Sequence, residues 1–414
     1  MPLASSSSVQ VRYIAEATFG VTPGAGNSRN LRATGETFDY TVSKEQSKEI
    51  NSTRTITSVV PVTAAAAGGV SGEISYQEWD SLMAATLQST YTVFGTNGVG
   101  AAFSTTAGGL AATSITTSAA TTGVNLWTLL QKGQWFKLVA PGDTNNIGRI
   151  LRVSTITAPT STVITLDVST PLVPNAGTVG ACTIATSRLT HGITQTSFTF
   201  ERNASDIGQF QAYRGMTPSK MSIGVSSGGL SSINFDFMGK DSVIGGSLGT
   251  LTTMPGTAIA SYAYDIHSGV AGANCQLWEG GAPITGTFVK SVSLDFDNSL
   301  RSQEAICTLG AVSIGSGTIQ ISGNLSVYFA DTLLFTKFKN NTNSSIIFSS
   351  VDGAGNGYVF TIPVANISTW KTNASGKDSD MMVDIQFTGL RDAANATPAL
   401  QKAIFIDRVG DATT

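Results

Sequence analysis

The chain has 414 residues, long enough for two or three domains of ordinary size. Only 12% of them are charged, against about 25% in typical soluble proteins, and Ser, Thr, Gly, Ala and Asn stand in their place; so little charge points to a surface covered by other protein. A formal charge of −3 with no Lys/Arg cluster argues against tight nucleic-acid binding, and no apolar run approaches the roughly 20 residues that span a bilayer.

In chain order, the opening MPLASSSSVQV has neither a basic start nor an apolar core of signal-peptide length, so a chain made and used in soluble form is expected. Residues 1–32 are read as an N-terminal arm. Phe38-Asp39-Tyr40 leads into a long polar stretch, Ser43 to Gly69. Loops beyond about 12 to 15 residues are commonly functional or disordered, and the Thr/Val alternation here predicts a hairpin arm ordered against a partner. In VSGEISYQEWDSLM, Val70 to Met83, the first half alternates faces as a half-buried strand through Gln77. The second half spaces Trp79, Leu82, Met83 and Leu87 for a helical stripe, with Asp80 suited to a first turn.

From Thr96 to about Leu189 lies extra material. TSITTSAATTG is read as loop, whereas Trp135–Val139, Arg149–Ile156 and Thr162–Val168 are short, β-branched runs bounded by turn residues, as in a small all-β barrel or sandwich. A surface loop tolerates such an insertion at little entropic cost. Gly224-Val225-Ser226-Ser227-Gly228 matches the G-x-S-x-G nucleophile elbow, but the strand-like GLSSINFDFMG follows where a helix is required. The match reads as a polar hairpin turn.

The chain then repeats itself. ISGNLSVYFADTLL (Ile321 to Leu334) matches VSGEISYQEWDSLM at an offset of 251 residues: Ser71 meets Ser322, Gly72 meets Gly323, Asp80 meets Asp331 and Leu82 meets Leu333. Upstream, Phe38-Asp39-Tyr40 and Ser47-Lys48-Glu49 answer to Leu294-Asp295-Phe296 and Ser302-Gln303-Glu304. Downstream, SINFDFMG answers to MVDIQFTG. Two related halves follow. The predicted fold is mainly β: a first unit at 33–95 and 190–245, an insert at 96–189, and a second unit at 246–414, each unit with a flanking helix.

Metal and redox chemistry find little to work with. Cys182, Cys275 and Cys307 are scattered and odd in number, and read as free, buried and inert. DFDNSLRSQE echoes a calcium loop but lacks its glycine. No cofactor, metal or catalytic residue is expected. A serine hydrolase would have to join Ser226 to His191 or His267, with Asp265 the nearest acid to the latter. A secreted surface protein or adhesin would share the composition but is disfavoured by the absent signal peptide.

Several segments, RYIAEATFGVTPG, SKEINSTR, GGVSGEISYQEWDSLMAA, SFTFER with YRGM, and GNGYVFTIPVANI, occur in the order seen in the major tail tube proteins of long, non-contractile bacteriophage tails, which this chain resembles over most of its length. The resemblance implies β-sandwich subunits with a flanking helix, joined edge to edge into rings that stack into a hollow conduit for phage DNA. Its implied partners are further copies of itself, the tape measure protein, and the tail terminator and distal tail proteins, with DNA passing through unbound. The resemblance also implies a virion component made in the bacterial cytoplasm. With two units per chain, a trimeric ring is expected rather than a hexamer. Glu73, Gln77 and Glu201 are candidate lumen-facing residues; Ser47, Lys48, Glu49 and Arg54 are candidates for the ring-stacking loop.

Overall fold

A computed structural model describes residues 3–94, 99, 102–117, 130–139, 143–156, 163–245, 254–256, 277–284, 288–329, 333–352, 355–374 and 376–410. Asp265, His267, Cys275 and Asp331 lie outside the described residues. Along the chain come β1 (Val9–Ala15), β2 (Arg29–Asn30), β3 (Ala33–Glu36), β4 (Asp39–Gln46), β5 (Val59–Glu73), helix α1 (Asp80–Thr86) and β6 (Thr92–Val93). The insert carries β7 (Thr105–Ala111), β8 (Ser114–Thr117), β9 (Trp135–Val139), β10 (Ile150–Ile156), β11 (Val163–Leu166) and β12 (Thr183–Ala185). After it follow β13 (Ser187–Thr190), β14 (Phe198–Ala204), β15 (Gln209–Ser226), β16 (Ser232–Gly239) and β17 (Asp241–Gly245). The second half has β18 (Leu277–Glu279), β19 (Ala282–Pro283), β20 (Val289–Asp297), β21 (Arg301–Gln303), β22 (Ser313–Gly315) and β23 (Gln320–Tyr328). It closes with helix α2 (Leu333–Lys339), β24 (Ser344–Val351), β25 (Gly357–Asn373), β26 (Met382–Leu390) and β27 (Phe405–Val409).

Two long strands organise everything. The first half of β15 pairs with β14 and β17, and its second half with β16 and β20. The first half of β25 pairs with β24 and β27, and its second half with β26. Each strand therefore changes neighbours midway, passing from one layer of the fold to the other. Both change at the same place, a one-residue shift in the ladder between Pro218 and Lys220 and between Ile367 and Thr369. Such bulges bend a strand and let it turn a corner. The duplication is thus visible in hydrogen-bond register as well as in letters.

That register corrects the sequence pairing of β5 with β23. Gly68 faces Phe237, and Gly323 faces the equivalent Phe387; Val70 faces Phe235, and Leu325 faces Ile385. The structural offset is therefore 255 residues, four more than the letters give. An even shift leaves every side chain on its face, so alternation fits both offsets and only the ladder partners decide. The strand also stops sooner than its alternation predicts. β5 ends at Glu73, where the Trp79 indole N–H donates to the Glu73 carbonyl at 2.8 Å. Gly72 leaves the space that this indole fills: a Cβ there would lie 2.2 Å from the Trp79 ring. Gln77 sits in the following turn with φ +68°.

The inner layer runs β4–β5–β16–β15–β20–β23–β26–β25, an unbroken antiparallel succession of eight strands, four from each half. Its apolar face, with Val70, Phe235, Phe237, Leu294, Phe296, Leu325, Ile385 and Phe387, covers one continuous core. The outer layer supplies the other side. In the first half Phe200 of β14 and Tyr213 of β15 meet Phe38 at ring centroids of 4.9 and 5.4 Å, and Phe200 meets Phe237 at 4.8 Å. Helix α1 buries Leu82, Met83 and Ala85 beside β15, and α2 takes the same position beside β25.

The first residues form a strand rather than a free arm. β1 pairs along its whole length with β14, and buries Val11 and Tyr13. The insert forms its own six-stranded sheet, β12-β9-β10-β11-β8-β7, around Phe103, Phe136 and Leu151. Residues 114–117, read from sequence as loop, form β8 because Ile115 fills that core. β13 leaves the insert and joins β27, so the insert is rooted in the outer layer of the second half.

That root is a buried ion pair. Arg188 donates to both Asp407 oxygens at 2.7 Å, the Trp135 amide donates to the same carboxylate at 3.0 Å, and Trp135 packs edge-on against Trp278. Removing one partner strands a charge with no solvent. Asp407→Ala should lower unfolding free energy by about 3–5 kcal/mol, read as a lower urea midpoint, and the effect of Arg188→Ala should not add to it in the double variant.

Candidate functional site: a polar sheet wall with two open edges

The second face of the inner layer is polar on seven of its eight strands, while β5 contributes mainly small residues there, Ala65, Ala67, Gly69 and Ser71. The face presents Asp39 and Thr41 on β4, Ser232, Asn234 and Asp236 on β16, and Lys220 and Ser222 on β15. The second half adds Asp295 and Asp297 on β20, Ser322 and Asn324 on β23, Gln386 and Thr388 on β26, and Lys371 on β25. Small hydroxyl and amide side chains dominate. Among the ionised groups carboxylates outnumber the two lysines, so the face is weakly acidic.

At its middle, where β15 of the first half meets β20 of the second, Lys220 stands opposite Asp297 and binds it at 3.0 Å. Burial alone would raise the Asp297 carboxyl, but the Ser299 amide at 2.7 Å and Lys220 outweigh it and hold it below the usual carboxylate range. Two residues along, burial raises Asp295. Beneath the pair, buried Asn298 donates to Thr86 O at the end of α1 and to Pro218 O at the bulge, tying the two halves together. A second tie runs through the outer layer. Tyr358 of β25 donates to Asp80 of α1 at 2.5 Å and accepts from the Gln77 amide at 2.9 Å, and Arg408 of β27 binds the other Asp80 oxygen.

The candidate lumen residues are dispersed by this arrangement. Glu73 stands opposite Ser232 at the end of β5, on the polar face, half-buried beside Arg32 at 3.6 Å. Gln77 lies in the turn after β5, beyond the strand, with its backbone amide bonded to Tyr358. Glu201 is completely buried, its carboxylate accepting from Arg12 Nε at 2.6 Å, so it lines no surface of the subunit. Strand alternation in SFTFER gives the right period, but both faces of β14 are covered. Glu16, which the sequence reading passes over, gathers the Gly20 and Gly215 amides and the Ser197 and Thr199 hydroxyls.

The stretch that holds Ser47, Lys48, Glu49 and Arg54 is a hairpin. β4 and β5 pair from Asp39↔Ala67 out to Gln46↔Val59, and the tip is closed by Asn51, which accepts from Thr53 and donates to Thr55 O. Arg54 adopts φ +57° in the tip. Ile50, Ile56, Val59, Val60 and Val62 are exposed on it. The second half repeats the feature in β21 and β22, which pair with each other and expose Ile306, Leu309 and Val312. Both corresponding hairpins thus expose aliphatic side chains.

Ser226 closes β15, and a turn leads straight into β16. The sequence G-x-S-x-G is therefore a strand–turn–strand hairpin, without the strand-to-helix elbow that exposes a nucleophile. No group of three or more His, Cys, Asp or Glu among the described residues is placed to hold a metal ion, and no described helix is long and apolar enough to cross a membrane.

The described residues thus form a two-layer β fold with one polar sheet face and two hairpins that expose aliphatic side chains. The chain belongs to the phage tail tube protein family, whose sequence profile matches residues 6–389, and it is accordingly a structural component of the phage tail. No curated protein matches it.

The two carboxylates at the junction carry opposite signs. Asp297, held low, adds stability above the unfolded carboxylate value near 3.9, and loses it as pH falls through its lower folded value. Asp295, held high, opposes folding once pH rises past the unfolded value. At pH 7 Asp297→Asn should cost less than about 1 kcal/mol, the pair being largely solvated, and Asp295→Asn should be neutral to stabilising. Urea midpoints at pH 7 and pH 3 check this: both differences should shrink at the lower pH.

Proposed function

We propose that the chain is the major tube subunit of a long, non-contractile tail, and that its polar sheet face lines the channel through which DNA leaves the capsid. The observation that carries this reading is the eight-stranded inner layer, polar on one face and without a strand partner on either outer edge among the described residues. Edge strands left open invite another strand, and closure into a barrel removes them. A head-to-tail interface makes a closed ring when its rotation closes.

Three copies would give a wall of 24 strands from eight per chain. With strands about 4.8 Å apart and tilted about 40°, that wall measures roughly 45–50 Å between facing backbones. Side chains narrow it to a bore that suits one duplex. Six copies would double the diameter and leave most of it empty, which favours the trimer. A weakly acidic, hydroxyl-rich wall makes few lasting phosphate contacts, because those come from Lys and Arg.

The paired hairpins β4–β5 and β21–β22 supply the stacking contacts, burying Ile50, Ile56, Ile306 and Leu309 against the adjacent ring. The tape measure protein inside, and terminator and distal tail proteins at the ends, are the partners that go with this assignment.

Negative-stain microscopy of the purified chain tests the reading: hollow tubes or rings support it, and isolated particles at every concentration refute it. Replacing residues 47–58 by Asn-Gly, a two-residue turn that fits the opposed Gln46 and Val59, should leave folded rings that no longer lengthen. Tubes of normal length from that variant would remove the hairpin from stacking. Asp236→Lys combined with Asn324→Lys should permit assembly yet slow DNA ejection in reconstituted phage, and an unchanged ejection rate would take the polar face out of the channel.

A further inference from the structure

We infer that the ladder inside the chain, β15 against β20, is the template for the ladder between chains, and that it sets Lys371 of one copy opposite Asp39 of the next. The inference rests on the tube reading above and supplies its seam. In the structure β15 meets β20 in seven consecutive pairs, from Lys220↔Asp297 to Ser226↔Ser291. β25 is the counterpart of β15 at an offset of 149, fixed by the shared bulge and by Pro218↔Phe237 matching Ile367↔Phe387. β4 is the counterpart of β20 at an offset of 256, fixed by Asp39↔Ala67 matching Asp295↔Ser322. The far edges of β25 and β4 are the two that stand open.

Carrying the internal pairs across gives the external ones. Met221↔Phe296 becomes Trp370↔Tyr40, and Ser222↔Asp295 becomes Lys371↔Asp39. Two features independent of the offsets agree with this register. Lys371 and Asp39 are exposed, of opposite charge, and both project from the polar face, as Lys220 and Asp297 do at the internal junction. On the core side, Met221 and Phe296 are each only 1% exposed, whereas Trp370 and Tyr40 remain partly uncovered in the single chain. A second copy in this register would bury both rings against each other. A slip by one residue would put Lys371 opposite a core residue, and a slip by two would remove the charge pair.

Charge reversal tests the register. Like charges directly opposite are destabilising, so Lys371→Glu alone, and Asp39→Lys alone, should each raise the critical concentration for ring or tube formation on the order of tenfold, measured by sedimentation. The double variant should return to within about twofold of the parent. Lys220→Glu, at the covalently linked junction, should leave the critical concentration unchanged. As a second measure, Lys371→Cys with Asp39→Cys in a Cys307→Ser background should yield interchain disulfides in oxidised tubes, and Asn373→Cys with Asp39→Cys should not. Tubes that form with neither rescue nor cross-link, or that cross-link at 373 instead, overturn the register and leave the tube reading standing. An unsubstituted chain that never assembles overturns the tube reading and the seam with it.

Discussion

One ladder makes a single wall out of two copies: β15 lying against β20 in seven unbroken pairs. Because that pairing continues the antiparallel sheet from the first half into the second, their apolar faces fall on the same side and close over one core. Because it leaves β4 and β25 at the outside, the chain ends as a sheet with two unlike edges rather than as two separate sandwiches. The Asn298 and Asp80 contacts secure the same joint from below and from the outer layer. The continuous wall and the position of its two open edges both follow from it.

Much of this could be read from the letters, for a definite reason. Strand period, the stripe Trp79-Leu82-Met83-Leu87 and the repeated segments are local patterns, and local patterns survive without knowledge of partners. They placed α1, the insert's strands β9, β10 and β11, and the hairpin at 43–69. What failed depends on contacts distant in sequence. Glu201 alternates as a surface residue should, yet Arg12, on the strand paired with β14, meets it in the interior. The offset of 251 satisfies the alternation as well as 255 does, because four is an even number. β1 reads as an arm because the sheet that receives it is nearly 190 residues away: Val9 pairs with Ala204 and Ala15 with Phe198.

The polar wall was legible only as a composition. Ser, Thr and Asn abundance forecasts a surface of low charge, but not that these residues gather on one face of one sheet. Asp39 and Lys371 carry no motif and sit more than 330 residues apart. Their relation emerges only when β4 is recognised as the structural counterpart of β20, and β25 of β15. The buried pair of Arg188 with Asp407 is equally silent in sequence, since each looks like an ordinary charge within a short strand.

The peptide link between the halves has a mechanical corollary. In a ring closed by such chains, alternate seams are held by covalent bonds and cannot part, while the seams between them rely on hydrogen bonds and packing alone. The count of wall segments is then always even, and an assembly error can add or omit them only in twos. Strain from bending the tail would fall on every second seam, so selection could strengthen those lines without altering the others. In such a cylinder, duplication within one polypeptide would give similar segments two kinds of joint.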